Sequence, residues 1–139
     1  MIISIYNKGL EAIAKGEIDF ESDLRAALLK SSHTTNIATQ EFLDDVSTNE
    51  LSGGGYSAKA LAPTVTIEDE RAVIGGLADT VWTSLTATNI RHVLVYKHTG
   101  TASTSTLLFS VDFEENFSPS SQDFTVFWRL GTLARLLKS

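Results

Sequence analysis

The side chains that could do acid–base or metal chemistry here are three histidines and a few groups of neighbouring carboxylates. His92 and His98 lie six residues apart in one predicted strand and on the same face. The rise of a strand separates them by about 20 Å, so they cannot share one metal ion directly. His33 lies in a predicted polar loop. We interpret all three histidines as surface or turn residues and predict no metal ligand among them.

The neighbouring carboxylates are Asp44–Asp45, Glu68–Glu70 and Glu114–Glu115. Paired carboxylates serve in glycosidases or bind calcium. Adjacent strand residues point to opposite faces, which is poor geometry for a shared site, and none of the three groups fits an EF-hand loop. We interpret them as solvated acidic loops and predict neither a catalytic residue nor a cofactor.

Nucleophile and phosphate-binding motifs are also missing from the sequence. No serine lies in a Gly-x-Ser-x-Gly turn, and the glycines 53–55 are not followed by the Gly-Lys-Ser/Thr of a phosphate loop. The chain has no cysteine, which removes disulfides, thiol nucleophiles and thiolate metal sites. A small hydrolase is therefore disfavoured.

Aromatic side chains offer a different chemistry, since several of them on one face could bind a sugar ring. The candidates are Trp82, Trp128, Tyr56, Tyr96 and Phe127. Aromatic residues at alternating strand positions more often belong to a core, which is the interpretation we prefer. A carbohydrate-binding β-sandwich stays open as an alternative.

Composition limits the partners and the architecture. A chain of 139 residues suits one domain, here residues 1–139. The net charge of −6 repels phosphate, so we predict no nucleic-acid partner. No apolar stretch reaches the length of a membrane span, and the start lacks the features of a signal peptide, so we predict no membrane partner.

The first part of the chain predicts a short N-terminal helix within residues 6–16. Tyr6, Leu10 and Ile13 would share one face, with Asn7 as N-cap and Gly16 as the stop. Residues 24–29 are predicted as a strand, and residues 39–46 as one or two helical turns.

The later part, residues 56–137, has the period of two that is typical of half-buried strands. Residues 90–113 predict two long strands joined by a Thr/Ser/Gly turn, and Val93–Tyr96, apolar on both faces, predicts a central strand. The residues expected to share the inward face of their strands are Leu107, Phe109, Val111 and Phe113, then Phe124, Val126, Trp128 and Leu130. Residues 114–123 are predicted as a loop. The fold class is thus mainly β, an antiparallel β-sandwich of about seven or eight strands.

Several landmarks together resemble a family of small virion structural proteins of tailed bacteriophages. The most specific is Tyr-Lys-His-Thr-Gly-Thr, residues 96–101, before a Ser/Thr turn and an apolar strand ending in Val-Asp-Phe. The other matching segments are residues 6–9, 16–19, 24–32, 41–45, 51–56, 80–83 and 124–128. The chain departs from the family at residues 75–78, where the family has an acidic lead, and at its apolar end, residues 134–138, for which a helix is one interpretation.

The resemblance implies a virion component with a β-sandwich body and no catalytic residues. Our first hypothesis is a capsid decoration (cement) protein on the outer head surface, made in the host cytoplasm and present in many copies or as a homo-oligomer. Its partner would be the major capsid protein or another virion protein. A neck, tail or baseplate protein is the alternative within the same class.

Both chain ends are more apolar than exposed termini normally are, which makes them candidate protein-contact segments. The candidate contact residues are Met1, Ile2, Ile3, Ile5, Tyr6, Leu133, Leu136 and Leu137. Packing on the chain's own core would explain the same pattern equally well.

Overall fold

The computed structural model describes residues 1–128 and the backbone of residues 134–137. Within these residues the regular elements are β1 (Ile2–Ile5), α1 (Asn7–Ala14), β2 (Leu24–Lys30), β3 (Lys59–Leu61), β4 (Thr64–Glu68), β5 (Arg71–Gly75), β6 (Thr80–Leu85), β7 (Ile90–Lys97), β8 (Leu107–Phe117), β9 (Gln122–Val126) and β10 (Ala134–Leu137). Three 3-10 turns lie at Leu43–Asp45, Ser47–Asn49 and Ala102–Thr104. The prediction of a mainly β, antiparallel, sandwich-like fold with a short N-terminal helix is confirmed, although short pairings divide it into more strands than expected.

A five-stranded antiparallel sheet forms the centre of the fold, in the order β1-β8-β7-β2-β3. The predicted central strand is β7, which pairs with β2 on one side and β8 on the other. All of Val93–Tyr96 is buried, as expected for a strand with apolar side chains on both faces.

The two faces of this sheet cover two separate clusters of buried side chains. The larger cluster lies between the sheet and the β6–β9 pair, and its core contains Leu24, Leu28, Trp82, Leu85, Ile90, Val93, Val95, Leu108, Phe109, Val126 and Trp128. The smaller cluster lies on the opposite face and contains Tyr6, Ala27, Leu29, Val46, Leu94, Tyr96 and Leu107. A third, three-stranded sheet has the order β10-β5-β4.

The alternation along β8 is interrupted by a bulge that the sequence pattern did not predict. Val95 pairs with Phe109 but Tyr96 pairs with Leu107, so Leu108 is an extra residue in β8. Leu107 therefore packs in the smaller cluster and Phe109 in the larger one. The prediction that they share one face was wrong, because a bulge reverses the facing of every residue on one side of it.

Strand β8 is also longer than predicted. It continues to Phe117, so the predicted loop of residues 114–123 shrinks to the few residues before Gln122. The inward-facing series of β9 is confirmed as far as it is described, since Phe124, Val126 and Trp128 all pack against the larger cluster. Leu130 lies outside the described residues.

Helix α1 packs on the sheet through its smallest residues. Gly9 and Ala12 are its buried positions, whereas Leu10 is 55% exposed, so the predicted face was wrong. A Cβ on Gly9 would lie only 2.4 Å from the Leu107 carbonyl oxygen. Because the backbones of α1 and β8 approach so closely, the small residues Gly9 and Ala12 face the sheet and Leu10 faces outward.

The ends of α1 agree with the sequence prediction to within one residue. Tyr6, rather than Asn7, is the N-cap and makes no side-chain capping bond. Gly16 follows the C-cap with φ of +73°, which confirms it as the stop.

Two further segments test the sequence interpretation. The helical turns predicted for residues 39–46 exist as the 3-10 turn Leu43–Asp45. Residues 134–137 form strand β10, antiparallel to β5, so the helical interpretation of this end was wrong.

Candidate functional site

The N-terminal strand β1 is an edge of the five-stranded sheet and is made of apolar residues that remain exposed. It pairs with β8 from Ile2↔Asp112 to Ile5↔Phe109, and no other described strand pairs with its outer side. The exposed fractions are 69% for Met1, 52% for Ile2, 64% for Ile3 and 45% for Ile5. An edge strand has unpaired backbone groups, so this segment offers both hydrogen bonds and apolar surface.

The other described members of the predicted contact set, Tyr6, Leu136 and Leu137, do not add to this exposed edge. Tyr6 is fully buried in the smaller cluster, so it anchors the end of β1 rather than adding to its surface. Leu136 and Leu137 belong to β10, where they pair with Ala72 and Arg71. Leu133 lies outside the described residues. Among the described members of the predicted set, the structure therefore brings together the exposed residues Met1, Ile2, Ile3 and Ile5.

An apolar cleft of about 420 Å³ opens beside β1 on the face of the larger cluster. Its lining residues are Met1, Ile3, Val93, Val95, Phe109, Val111, Phe113, Phe117, Phe124, Thr125, Val126, Phe127 and Trp128. Phe113, Phe117 and Phe124 contact one another with ring centroids 5.6–6.3 Å apart. Apolar clefts of this kind accept apolar side chains or ligands.

The opposite face of β1 borders a second, polar pocket of about 400 Å³. Ile2 and Ser4 line this pocket, whereas Met1 and Ile3 line the apolar cleft, because successive strand side chains point to opposite faces. The other residues that line the polar pocket are His33, Thr34, Thr35, Arg91, His92 and Asp112.

Two histidines form the buried end of this polar pocket. The rings of His33 and His92 meet edge to face with centroids 5.0 Å apart, and the residues are 4% and 3% exposed. His33 contacts the Thr35 hydroxyl at 3.3 Å, while neither ring nitrogen of His92 has a hydrogen-bond partner of normal geometry among the described residues. The interpretation of the histidines as surface or turn residues was wrong for His92, which is buried in a strand; His33 does lie in the predicted loop, but it is buried there.

The environment of the pair disfavours positive charge. Burial, together with a smaller effect of the neighbouring His92, lowers the pKa of His33 to about 4, and Asp112 opposes this shift. Burial also lowers the pKa of His92, against the opposing effects of Asp112 and the His33 backbone. Both imidazoles are therefore neutral at pH 7.

Asp112 is held by Arg91 at the rim of the polar pocket. Arg91 Nε donates to Asp112 Oδ1 at 2.9 Å and its Nη2 donates to Oδ2 at 3.4 Å. This pairing lowers the pKa of Asp112. Sequence reasoning missed the whole cluster, because His33 and His92 are 59 positions apart and only the pairing of strands brings them together.

Structural contacts are made by a side chain from each of the acidic groups Asp44–Asp45 and Glu114–Glu115. Asp45 Oδ2 accepts the backbone N–H groups of Glu41 and Phe42 at 2.8 and 3.0 Å, and Glu114 pairs with the Met1 amino group. Within the described part of the chain, no three His, Asp or Glu side chains lie together in a way that could hold a metal ion.

The aromatic residues proposed for a sugar platform are mostly internal. Trp82 is fully buried and its Nε1 donates to the Ser57 carbonyl at 2.7 Å. Trp128 is 9% exposed and its Nε1 donates to Thr80 Oγ1 at 2.9 Å. Phe127 is the exposed member, at 75%. These positions support the core interpretation of the tryptophans.

Comparisons with known proteins found no relative of this chain. The chain matches no protein-family model, no curated protein and no solved structure. Across the described residues, no helix has the length and apolar character needed to cross a membrane.

Proposed function

We propose that this chain is a multi-copy structural protein of a tailed-bacteriophage virion, and that it decorates the outside of the capsid. Its contact with the neighbouring protein is made through strand β1. An extended segment of the neighbour, from the major capsid protein or another virion protein, adds to the open edge as a further strand.

The observation that supports this proposal best is the exposed apolar edge formed by Met1, Ile2, Ile3 and Ile5. Strand addition supplies main-chain hydrogen bonds for affinity and side-chain pockets for specificity. Burying one isoleucine fully contributes about 1.5–3 kcal/mol, so covering three of them would give a real but modest affinity for each copy. Many copies on a symmetric shell would then bind through avidity.

The apolar cleft gives the added strand a place for its side chains. Met1 and Ile3 form one rim of the cleft, so a strand beside β1 would lie next to it. Alternate apolar side chains of such a strand would point toward the cleft, since strand side chains alternate between faces. We therefore expect the partner segment to be extended and apolar at every second position.

The number of copies of this chain that each virion carries tests the proposal. Particles are assembled with the wild-type chain, with Ile3→Lys and with Ile67→Lys, and the copies per particle are counted by quantitative mass spectrometry. Ile67 is the matched control because it is 72% exposed on β4, another edge strand. We expect Ile3→Lys to lose most copies and Ile67→Lys to keep them; equal, full occupancy of both variants would overturn the proposal.

A neck, tail or baseplate location would use the same edge of the sheet. Labelling the chain and imaging the particle separates the two locations, because density only at the tail would exclude decoration of the head.

The carbohydrate-binding alternative has less support, since Trp82 and Trp128, its main aromatic candidates, are buried.

A further inference from the structure

The polar pocket behind β1 contains two buried titratable groups that no part of the proposed contact uses. His33 belongs to the segment of residues 31–37 that follows β2, and His92 belongs to the central strand β7. The two imidazoles meet at 5.0 Å, and each residue is at least nine-tenths buried. Two positive charges at that distance would repel each other, and burial would leave them poorly solvated.

The histidine pair lies where the 31–37 segment and β1 both attach to the sheet. The segment contacts β8 through Thr35 Oγ1, 3.5 Å from Ser110 Oγ. Its Ile37 carbonyl accepts the backbone N–H of Asn7 at 3.0 Å, directly after β1. Ile2 and Ser4 of β1 line the same pocket as the two histidines. The pair therefore borders both attachments.

Three ionisable groups next to the pair, Arg91, Asp112 and Tyr6, keep their protonation state between pH 5 and pH 7. From β7, Arg91 stays protonated, and from β8, Asp112 stays ionised because Arg91 lowers its pKa. Tyr6, next to Ser110 and Thr35, stays neutral because burial raises its pKa.

The neighbours from the other two strands do not titrate. From β2 the register partner of His92 is Leu29, and β1 contributes only Ile2 and Ser4 to the pocket. Glu114 lies in the later part of β8, paired with the Met1 amino group.

We propose that His33 and His92 form an acid-sensitive contact that holds β1 and the 31–37 segment on the sheet, and that protonation of the pair releases both. Acid would thereby open the strand that the proposed function assigns to partner binding. The release is a property of the isolated chain, so its failure is distinguishable from a failure of particle binding.

The direction follows from proton linkage. The pKa of His33 is about 4 in the closed state and returns toward its ordinary value of 6.5 when the segment opens. The open state therefore binds more protons, and lowering the pH favours it between pH 6.5 and pH 4. From these two values, His33 alone increases the open population about twentyfold between pH 7 and pH 5. His92 shifts in the same direction and adds to the effect.

Hydrogen–deuterium exchange of the full chain at pH 7 and pH 5, corrected for the intrinsic exchange rate, tests the proposal. We expect residues 2–5 and 31–37 to lose protection about twentyfold or more at pH 5, while β2 and β7 keep theirs. The double variant His33→Gln/His92→Gln should lose this pH dependence, whereas His98→Gln and Glu114→Gln should retain the wild-type response. Unchanged protection of both segments in the wild-type chain would overturn the proposal.

A second measurement covers the case in which the double variant does not fold. NMR titration of the wild-type imidazole signals, assigned with His98→Gln, should give His33 a midpoint near 4 and His92 a midpoint below 6.5. Ordinary midpoints for both histidines would show that acid does not act through the pair and would overturn the proposal.

Discussion

Two edge strands, β1 and β4, expose apolar side chains to a similar extent but differ in how their edges are protected. Ile3 is 64% exposed on β1 and Ile67 is 72% exposed on β4. Strand β4 ends at Glu68 before an acidic turn, and the backbone N–H of Val65 donates to Glu21 Oε1 at 3.0 Å. Strand β1 contains no charged side chain, and none of its N–H groups donates to a described side chain.

Exposure alone therefore does not identify a contact strand. Natural sheets protect their edges with charge, short length or a covering group, and β4 has two of these protections. Strand β1 has only its four-residue length, and it borders the apolar cleft. The unprotected edge is therefore the one to which we assign binding.

The largest expected effect comes from removing the anchor of β1. Tyr6→Ala empties a fully buried aromatic site at the end of the strand, and truncation of a buried aromatic ring costs about 3–5 kcal/mol of unfolding free energy. Urea unfolding measures the loss. Tyr6→Phe is the matched control: it keeps the ring and removes a hydroxyl that has no normal hydrogen bond among the described residues, so it should change stability by less than about 1 kcal/mol. A loss below about 1 kcal/mol for Tyr6→Ala would show that the strand is not anchored there.

A smaller loss is expected where α1 rests on β8. Gly9→Ala should destabilise the chain by about 1–3 kcal/mol, although alanine is the better helix former, because the new Cβ would meet the Leu107 carbonyl. The exposed Ala14 in the same helix provides the reverse control, since Ala14→Gly should cost no more than about 1 kcal/mol. Thermal unfolding compares the two. A stabilising Gly9→Ala would contradict the close packing of helix and strand.

The smallest stability effect, and the sharpest test of edge protection, is the removal of the group that covers β4. Glu21→Ala should lower the free energy of unfolding by less than about 1 kcal/mol. It would leave the Val65 N–H without its side-chain acceptor, which makes β4 an open edge like β1. We expect concentration-dependent self-association in sedimentation velocity. Glu21→Gln keeps an acceptor oxygen and should sediment like the wild-type chain. If Glu21→Ala also sediments unchanged, the carboxylate does not protect this edge.

Much of the fold follows from local pattern. Apolar residues on both faces identified Val93–Tyr96 as the centre of the sheet, and Gly16 marked the end of α1. These features depend on neighbours within a few residues, where side-chain periodicity and backbone freedom are visible in the sequence.

The features that were missed depend on distant residues. The extra residue at Leu108 shows only in the register of β7 against β8, and the burial of Gly9 depends on the backbone of β8. The contact of His33 with His92 needs the segment after β2 to fold over β7. No local period encodes such pairings, so both cavities beside β1 lay beyond the sequence pattern.

The central claim, that β1 receives a strand from a neighbouring protein, is tested most directly by a cryo-EM map of the assembled particle at a resolution that shows β-strands. We expect an extended segment of a neighbouring chain alongside Ile2–Ile5, with Ile3 covered and a side chain of the neighbour in the apolar cleft. A map in which the outer edge of β1 faces solvent while another surface contacts the particle would contradict it.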